Sequence, residues 1–363
     1  MILPSPAIAE SGSQRLIALD GLRGIAAIVV LMFHFEQSHG TRSLFASGYL
    51  AVDFFFLLSG FVLVGPIEGR IGGRRGEPRR EGLSIFAARF LRFWPLMALG
   101  TAIGAGVQFF DFPAEQILPL LALAWLSIPL AWQAGDAFAL NGPQWSLFVE
   151  LVWNALHIAL LRRLSVPALL ALSGAFGLVV TVGDPYLNTA TLGRAYDEII
   201  IGLLRAGFAY PLGIVIGRKQ HLLRALPPLA GWSAPSLLVG AIVGPTTLGF
   251  HGAMPDLFAR AAFIVVLVLG VRSRLSESAA RSMTWLGAIS FPLYAIHAPI
   301  LNLADIAGRA APDQLRPLIY LAGPAMVLAL AHGLSRSWLA RGIRLPSGNR
   351  AGVRQTEPIT QRG

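Results

Sequence analysis

Apolar stretches of about twenty residues recur along this chain from Leu16 to Leu339, separated by short connections that carry arginine. At 1.5 Å rise per residue such a stretch, coiled as a helix, reaches across a hydrocarbon layer about 30 Å thick. The stretches lie at about 16–37, 47–66, 93–110, 143–163, 165–182, 197–217, 229–246, 257–271, 283–305 and 315–339. Charged residues make up only 13% of the 363 positions and apolar ones 55%. A soluble protein has about a quarter charged, so this chain lacks the polar surface a water-soluble globule needs. Disorder, collagen and a coiled coil fail on the same composition. The pattern predicts an all-α polytopic membrane protein with about ten transmembrane helices around a polar channel.

Basic residues set the expected orientation. Arg15 precedes the first stretch, and the connection 67–92 carries seven arginines: Arg70, Arg74, Arg75, Arg79, Arg80, Arg89 and Arg92. Later connections repeat the signal with Arg162–Arg163, Arg218, Lys219 and Arg224, then Arg272, Arg274 and Arg281, then Arg341 and Arg344. Every second connection is therefore basic, which predicts an inner-membrane protein with both termini cytoplasmic. Residues 1–14 form a cytoplasmic lead, 15–340 the membrane domain and 341–363 a polar tail. The lead lacks the basic start and apolar run of a cleavable signal. One segment breaks the alternation. Residues 117–132 are apolar enough to cross, but crossing would invert every later basic connection, so they are expected to form a re-entrant or interfacial helix with Pro119 and Pro129 limiting it.

The net charge of +10 is explained by topology and does not call for a nucleic-acid partner. Cysteine is absent, which excludes a thiol nucleophile, disulfides and cysteine-bound metal. Neither a G-x-S-x-G elbow, an H-E-x-x-H pair nor a P-loop occurs, and no metal is expected.

Ionisable side chains inside apolar spans are costly unless paired or wetted, so they are candidates for function. The first span holds Asp20, Arg23 and His34. Arg23 and His34 are eleven residues apart, almost three helical turns, and so share one face about 16 Å apart. Asp20 lies one turn from Arg23 and can neutralise it. Asp53, Glu150 and His297 sit in three further spans and are expected at the depth of His34, forming a polar chamber. A histidine beside a carboxylate is a natural general base for a hydroxyl, with Glu150 or Asp53 as the orienting group. Arg89 and Arg92 share one helical face at the entrance to the third span, where guanidinium forks suit phosphate. Simpler roles exist for each: a snorkelling arginine, a helix-start aspartate, a satisfied histidine, and packing for Ser59 and Ser146. Trp125, Trp132 and Tyr186 fit an interfacial belt better than a sugar platform.

Five ordered segments together resemble the acyltransferase-3 family of integral-membrane O-acyltransferases. They are LDGLRGIAAIVVLMFHF, GYLAVDFFFLLSGFVL, Arg89-Phe-Leu-Arg92, PQWSLFVE from Pro143 to Glu150, and SFPLYAIHAP around His297. The resemblance runs from Arg15 to about residue 339. It implies transfer of an acyl group, most often acetyl, from cytoplasmic acyl-coenzyme A to a hydroxyl of a carbohydrate such as a cell-surface polysaccharide. On that resemblance His34 is the catalytic histidine, either as base for direct attack on the thioester or as carrier of the acyl group in two half-reactions, and Arg23 stabilises charge on the donor path. Arg89 and Arg92 hold the coenzyme A phosphates, while Trp145 and His297 line the substrate site. It also implies the form without a fused hydrolase-like domain. Acylation of a small metabolite or lipid-linked sugar is the alternative within the class, and a transporter or flippase the alternative outside it. A transporter more often shows broken helices in paired halves, which this chain lacks.

Overall fold

The computed structural model describes residues 6–39, 44–73, 78–130, 135–187, 194–223, 225–250 and 254–343. Twelve α-helices account for nearly all of them: α1 (Pro6–Ser38), α2 (Ala51–Gly73), α3 (Pro78–Gln108), α4 (Ala114–Trp125), α5 (Gln144–Ala159), α6 (Val166–Leu187), α7 (Ile199–Arg218), the one-turn α8 (Gln220–Leu223), α9 (Ser233–Thr247), α10 (Met254–Arg272), α11 (Glu277–Ala310) and α12 (Arg316–Ser335). Two-residue strands β1 (Leu229–Ala230) and β2 (Ser273–Arg274) pair in parallel. Seven helices, α1, α2, α3, α7, α10, α11 and α12, are long and apolar enough to cross a membrane. α5 and α9, with 16 and 15 residues, would rise about 24 and 23 Å. The chain is an all-α polytopic membrane protein. Its outer surface is apolar, as lipid requires: Leu318, Leu321 and Leu330 of α12 are exposed, and α12 is the least packed of the seven while α2 is the most.

The stretch 67–92, expected as a connection, is largely helical. α2 runs on to Gly73, and α3 begins at Pro78, a residue suited to a first turn because its missing N–H needs no partner there. Arg89 and Arg92 therefore lie three turns inside α3 rather than at its mouth. Arg74, Arg75, Trp132, Arg224, Arg344 and the tail beyond lie outside the described residues.

Packing follows the helix directions. α1 and α11 run parallel, with Gly287 against Asp20, Arg23 bonded to Ser290 and the His34 ring beside that of His297. α2 and α7 also run parallel. A methyl group at Gly60 would collide with the Tyr210 carbonyl, and one at Gly213 with that of Leu57, so only glycine permits this approach. α5 runs antiparallel to α3, pairing Arg89 with Glu150 and Thr101 with Gln144.

Proline inside a helix leaves the carbonyl four residues earlier without its N–H partner. Two such carbonyls are satisfied by distant chain. Pro299 frees Ala295, whose oxygen accepts from Asn141 Nδ2 at 2.9 Å. Pro95 frees Leu91, whose oxygen accepts from the Ile343 N–H at 3.0 Å. Beside that second bond Gly342 has φ +66, and a Cβ there would lie 2.6 Å from Arg92 Cα. The segment after α12 is thus strapped onto α3 at Arg92.

α4 bears on the re-entrant expectation. It doubles back along α3, with Trp125 Nε1 donating to the Ala98 carbonyl and Trp94 Nε1 to that of Trp125. It ends in a Schellman motif: Ser127 has φ 55, and the N–H groups of Ser127 and Ile128 donate to Ala124 and Leu123. The chain then reverses, Leu130 bonding to Ala137. α5 starts beside α4, where Gln144 donates to Ala124 at 2.6 Å. α4 and α5 therefore run in the same direction, both antiparallel to α3, with α5 starting beside the last turn of α4.

Candidate active site

α1 carries the first cluster at its Arg23 level. Arg23 Nε donates to Ser290 Oγ at 2.9 Å, and its Nη2 lies 3.2 Å from Asp20. Arg89 and Arg92 lie one turn apart on α3. Arg92 is exposed. Arg89 is mostly buried: its Nη2 donates to Glu150 at 2.9 Å and to Ser59 Oγ at 3.2 Å, Ser59 donates to the same carboxylate oxygen at 2.5 Å, and the guanidinium stands 5.1 Å from the Phe93 ring. Three arginines thus meet two carboxylates, Asp20 and Glu150, leaving an excess of positive charge on this side.

At the other end of α1, His34 is half-buried and His297 fully buried. Their rings lie 4.9 Å apart. His34 Nδ1 is 2.9 Å from the Val30 carbonyl, and His297 Nδ1 is 2.8 Å from that of Tyr294. A carbonyl only accepts, so in each neutral ring the proton sits on Nδ1 and the lone pair on Nε2. His297 Nε2 has no partner among the described residues. Tyr294 is held in turn by Ser146, hydroxyl to hydroxyl at 2.6 Å, and donates to the Pro143 carbonyl at 3.3 Å.

Two expectations change here. Neither carboxylate orients His34: Glu150 is taken by Arg89 and Ser59, while Asp53 accepts from Arg205 at 2.9 Å and Arg260 at 3.1 Å. A buried carboxylate needs a paired cation, and these arginines are nearer than the imidazole. The four groups are also not at one depth. Glu150 bonds Ser59, six residues beyond Asp53 on α2, which places it about 9 Å further along the bundle. What links the levels is one face of α5, with Ser146 at the histidine pair and Glu150 one turn deeper at Arg89. The cavity beside this line, between α3, α4 and α5, is bordered by Phe93, Trp94, Trp125 and Gln144 and has room for about one water. Among the described residues the polar path at this point is a line of side chains. Trp145 is buried with its ring against Phe56 and Arg205.

Sequence reasoning passed over several polar groups. Asp256, Arg205, Arg260 and Tyr49 join the expected Asp53 in one network, in which Tyr49 donates to Asp256 at 2.5 Å and Arg260 also reaches Asp256 at 3.2 Å. Arg205 and Arg260 were visible as charges inside apolar spans, the same signal that marked Arg23. Glu68 pairs with Arg218 at 2.8 Å and with His157 at 3.2 Å. Arg218 also donates to the carbonyls of Leu161, Arg162 and Leu164, closing the end of α5. No group of three or more His, Cys, Asp or Glu suited to a metal occurs among the described residues.

Residues 16–336 match the family model described as an acyltransferase domain. The acyltransferase MdmB of Streptomyces mycarofaciens is 27% identical over 79% of this chain and 79% of its own. The exopolysaccharide production protein ExoZ of Rhizobium meliloti is 25% identical over 86% of this chain and 95% of its own. The peptidoglycan O-acetyltransferase OatA of Listeria monocytogenes is 24% identical over 86% of this chain and 54% of its own. No solved structure matches the chain significantly.

Proposed function

The chain belongs to the acyltransferase-3 family and is an acyltransferase, and from that premise we propose that it carries an acetyl group from cytoplasmic acetyl-coenzyme A to a hydroxyl of a cell-surface polysaccharide. In this reading it lies in the inner membrane with about ten crossings and both termini cytoplasmic. The observation that carries the proposal is the bond between His34 Nδ1 and the Val30 carbonyl at 2.9 Å. With Nδ1–H on the Val30 carbonyl, Nε2 is left as a base.

The acceptor oxygen attacks the thioester carbonyl while His34 Nε2 takes its proton. The new C–O bond forms, the C–S bond breaks, and the thiolate leaves with the proton returned by the imidazolium. His297, its ring 4.9 Å from that of His34, backs it on the buried side. At the other end Arg92, Arg23 and the paired Arg89 supply the positive field for the donor's phosphates. Glu150 holds Arg89 in place, while Asp53 holds Arg205, which stands against the buried Trp145. The names of ExoZ and OatA point to polysaccharide as acceptor; the name of MdmB is neutral, so a small metabolite is the second reading.

The test is thiol release from acetyl-coenzyme A by the purified chain in nanodiscs, with base-treated exopolysaccharide as acceptor. Acetyl gain by the polysaccharide, lost in His34→Ala with coenzyme A binding kept, is the expected result. Full transfer by His34→Ala overturns the assignment.

A further inference from the structure

At the His34 end, two loops are zipped together outside the helices. The Ala137 N–H donates to the Arg194 carbonyl at 2.9 Å, and the Tyr196 N–H to that of Gly135 at 2.7 Å. Across this bridge Arg194 grips Asp136 side-on, with Nε 2.8 Å from Oδ1 and Nη2 2.8 Å from Oδ2. The pair is open to solvent, its side chains 45% and 25% exposed, so as an ion pair alone it adds little stability.

Its position is the informative part. A Cβ on Gly142 would lie 3.2 Å from Arg194 Nε, so the pair sits directly on the Asn141-Gly142-Pro143 turn. That turn is tied on both sides of the glycine to the α11 segment just before His297. Asn141 holds the Ala295 carbonyl, two residues before His297, and Pro143 receives the Tyr294 hydroxyl. Asn141 is 2% exposed and its Oδ1 has no partner among the described residues. His297 Nε2 is likewise unpartnered. Tyr196, two residues along the same loop, exposes nearly half its surface.

We propose that Arg194 and Asp136 form the docking pair for the acceptor, a polyhydroxylated sugar that presents neighbouring hydroxyls to this pair and a further one to His34. A guanidinium gripped side-on keeps its Nη1 edge for an acceptor oxygen, and the carboxylate keeps lone pairs for a hydroxyl donor. A diol satisfies both at once, which neither a phosphate nor an apolar acyl chain does. An exposed ring alongside suits the apolar face of a sugar. The inference rests on the acyl-transfer reading and names the acceptor side of that same site.

The test uses the full chain in nanodiscs with acetyl-coenzyme A and base-treated exopolysaccharide. Arg194→Ala and Asp136→Ala are each expected to raise KM for the polysaccharide tenfold or more, with kcat within about threefold and coenzyme A affinity within twofold. A third variant, Asp136→Arg with Arg194→Asp, keeps an ion pair across the bridge while reversing its polarity. It is expected to melt near the parent temperature with KM still raised. An unchanged KM in the single variants, or a parent-like KM in the swapped one, overturns the docking role, since the pair would then serve only to join the loops. If the parent itself moves no acetyl to the polysaccharide, the acyl-transfer reading falls and the docking role with it. Normal transfer with insensitive KM removes the docking role alone.

Discussion

The imidazoles of His34 and His297 stand 4.9 Å apart with their planes inclined at 59°, each pinned through Nδ1 to a carbonyl of its own helix. Both rings therefore present an Nε2 lone pair at one level of two parallel helices. Only His34 is partly open, so it meets the acceptor while His297 backs it. His34→Ala should lower turnover by about three orders of magnitude, the usual worth of a general base. His297→Ala should lower it by about one to two, with coenzyme A affinity unchanged in both. Thiol release from acetyl-coenzyme A measures each.

Glu150 holds Arg89 in a mostly buried pair. Removing one partner strands the other, at a cost of about 3 kcal/mol. Glu150→Gln should therefore lower the melting temperature in nanodiscs. Glu150→Gln combined with Arg89→Gln should recover part of that loss, because no charge is left alone. A double variant no more stable than the single one would show that the pair does not act as a unit.

Asp53 anchors two arginines, Arg205 and Arg260. With Asp256 the network holds two carboxylates against two guanidiniums. Asp53→Asn leaves one positive charge in excess inside the bundle, again at about 3 kcal/mol or more. The expected outcome is a sharp fall in monodisperse protein on size exclusion in mild detergent. Asp53→Glu should restore part of it.

Arg92 is exposed and has no such structural duty. Arg92→Ala should leave the melting temperature within about a degree while weakening coenzyme A binding about tenfold at low salt. Because salt screens exposed charges, the parent's affinity should fall as salt rises and the variant's should fall less steeply. Identical salt slopes would separate Arg92 from the phosphates.

Much of the fold was legible because hydropathy and proline reflect local physics. The first helix and the long eleventh follow from their apolar runs, whereas α4 (Ala114–Trp125) holds Pro119 inside it and stops at the Ser127 turn before Pro129, so the two prolines do not bound it as expected. What stayed hidden was pairing. Sequence marks Asp53 and Glu150 as buried charges but cannot say which cation reaches each, since Arg205 lies 152 residues and Arg89 61 residues away. The histidine level was legible from spacing along α1 and from the resemblance of the late segment around His297. Arg194 and Asp136 carried no signal at all, being loop charges of the commonest kind. The stretch 67–92 misled for a definite reason: arginines on the polar side of a helix resemble a loop when only hydropathy is counted.

The bond from Ile343 to the Leu91 carbonyl also dictates an order of assembly. During synthesis α3 emerges with that oxygen bare, and its partner is made only about 250 residues later. The turn bearing Arg92 thus takes its finished shape only once Ile343 has been made and docked, long after the helix that carries it.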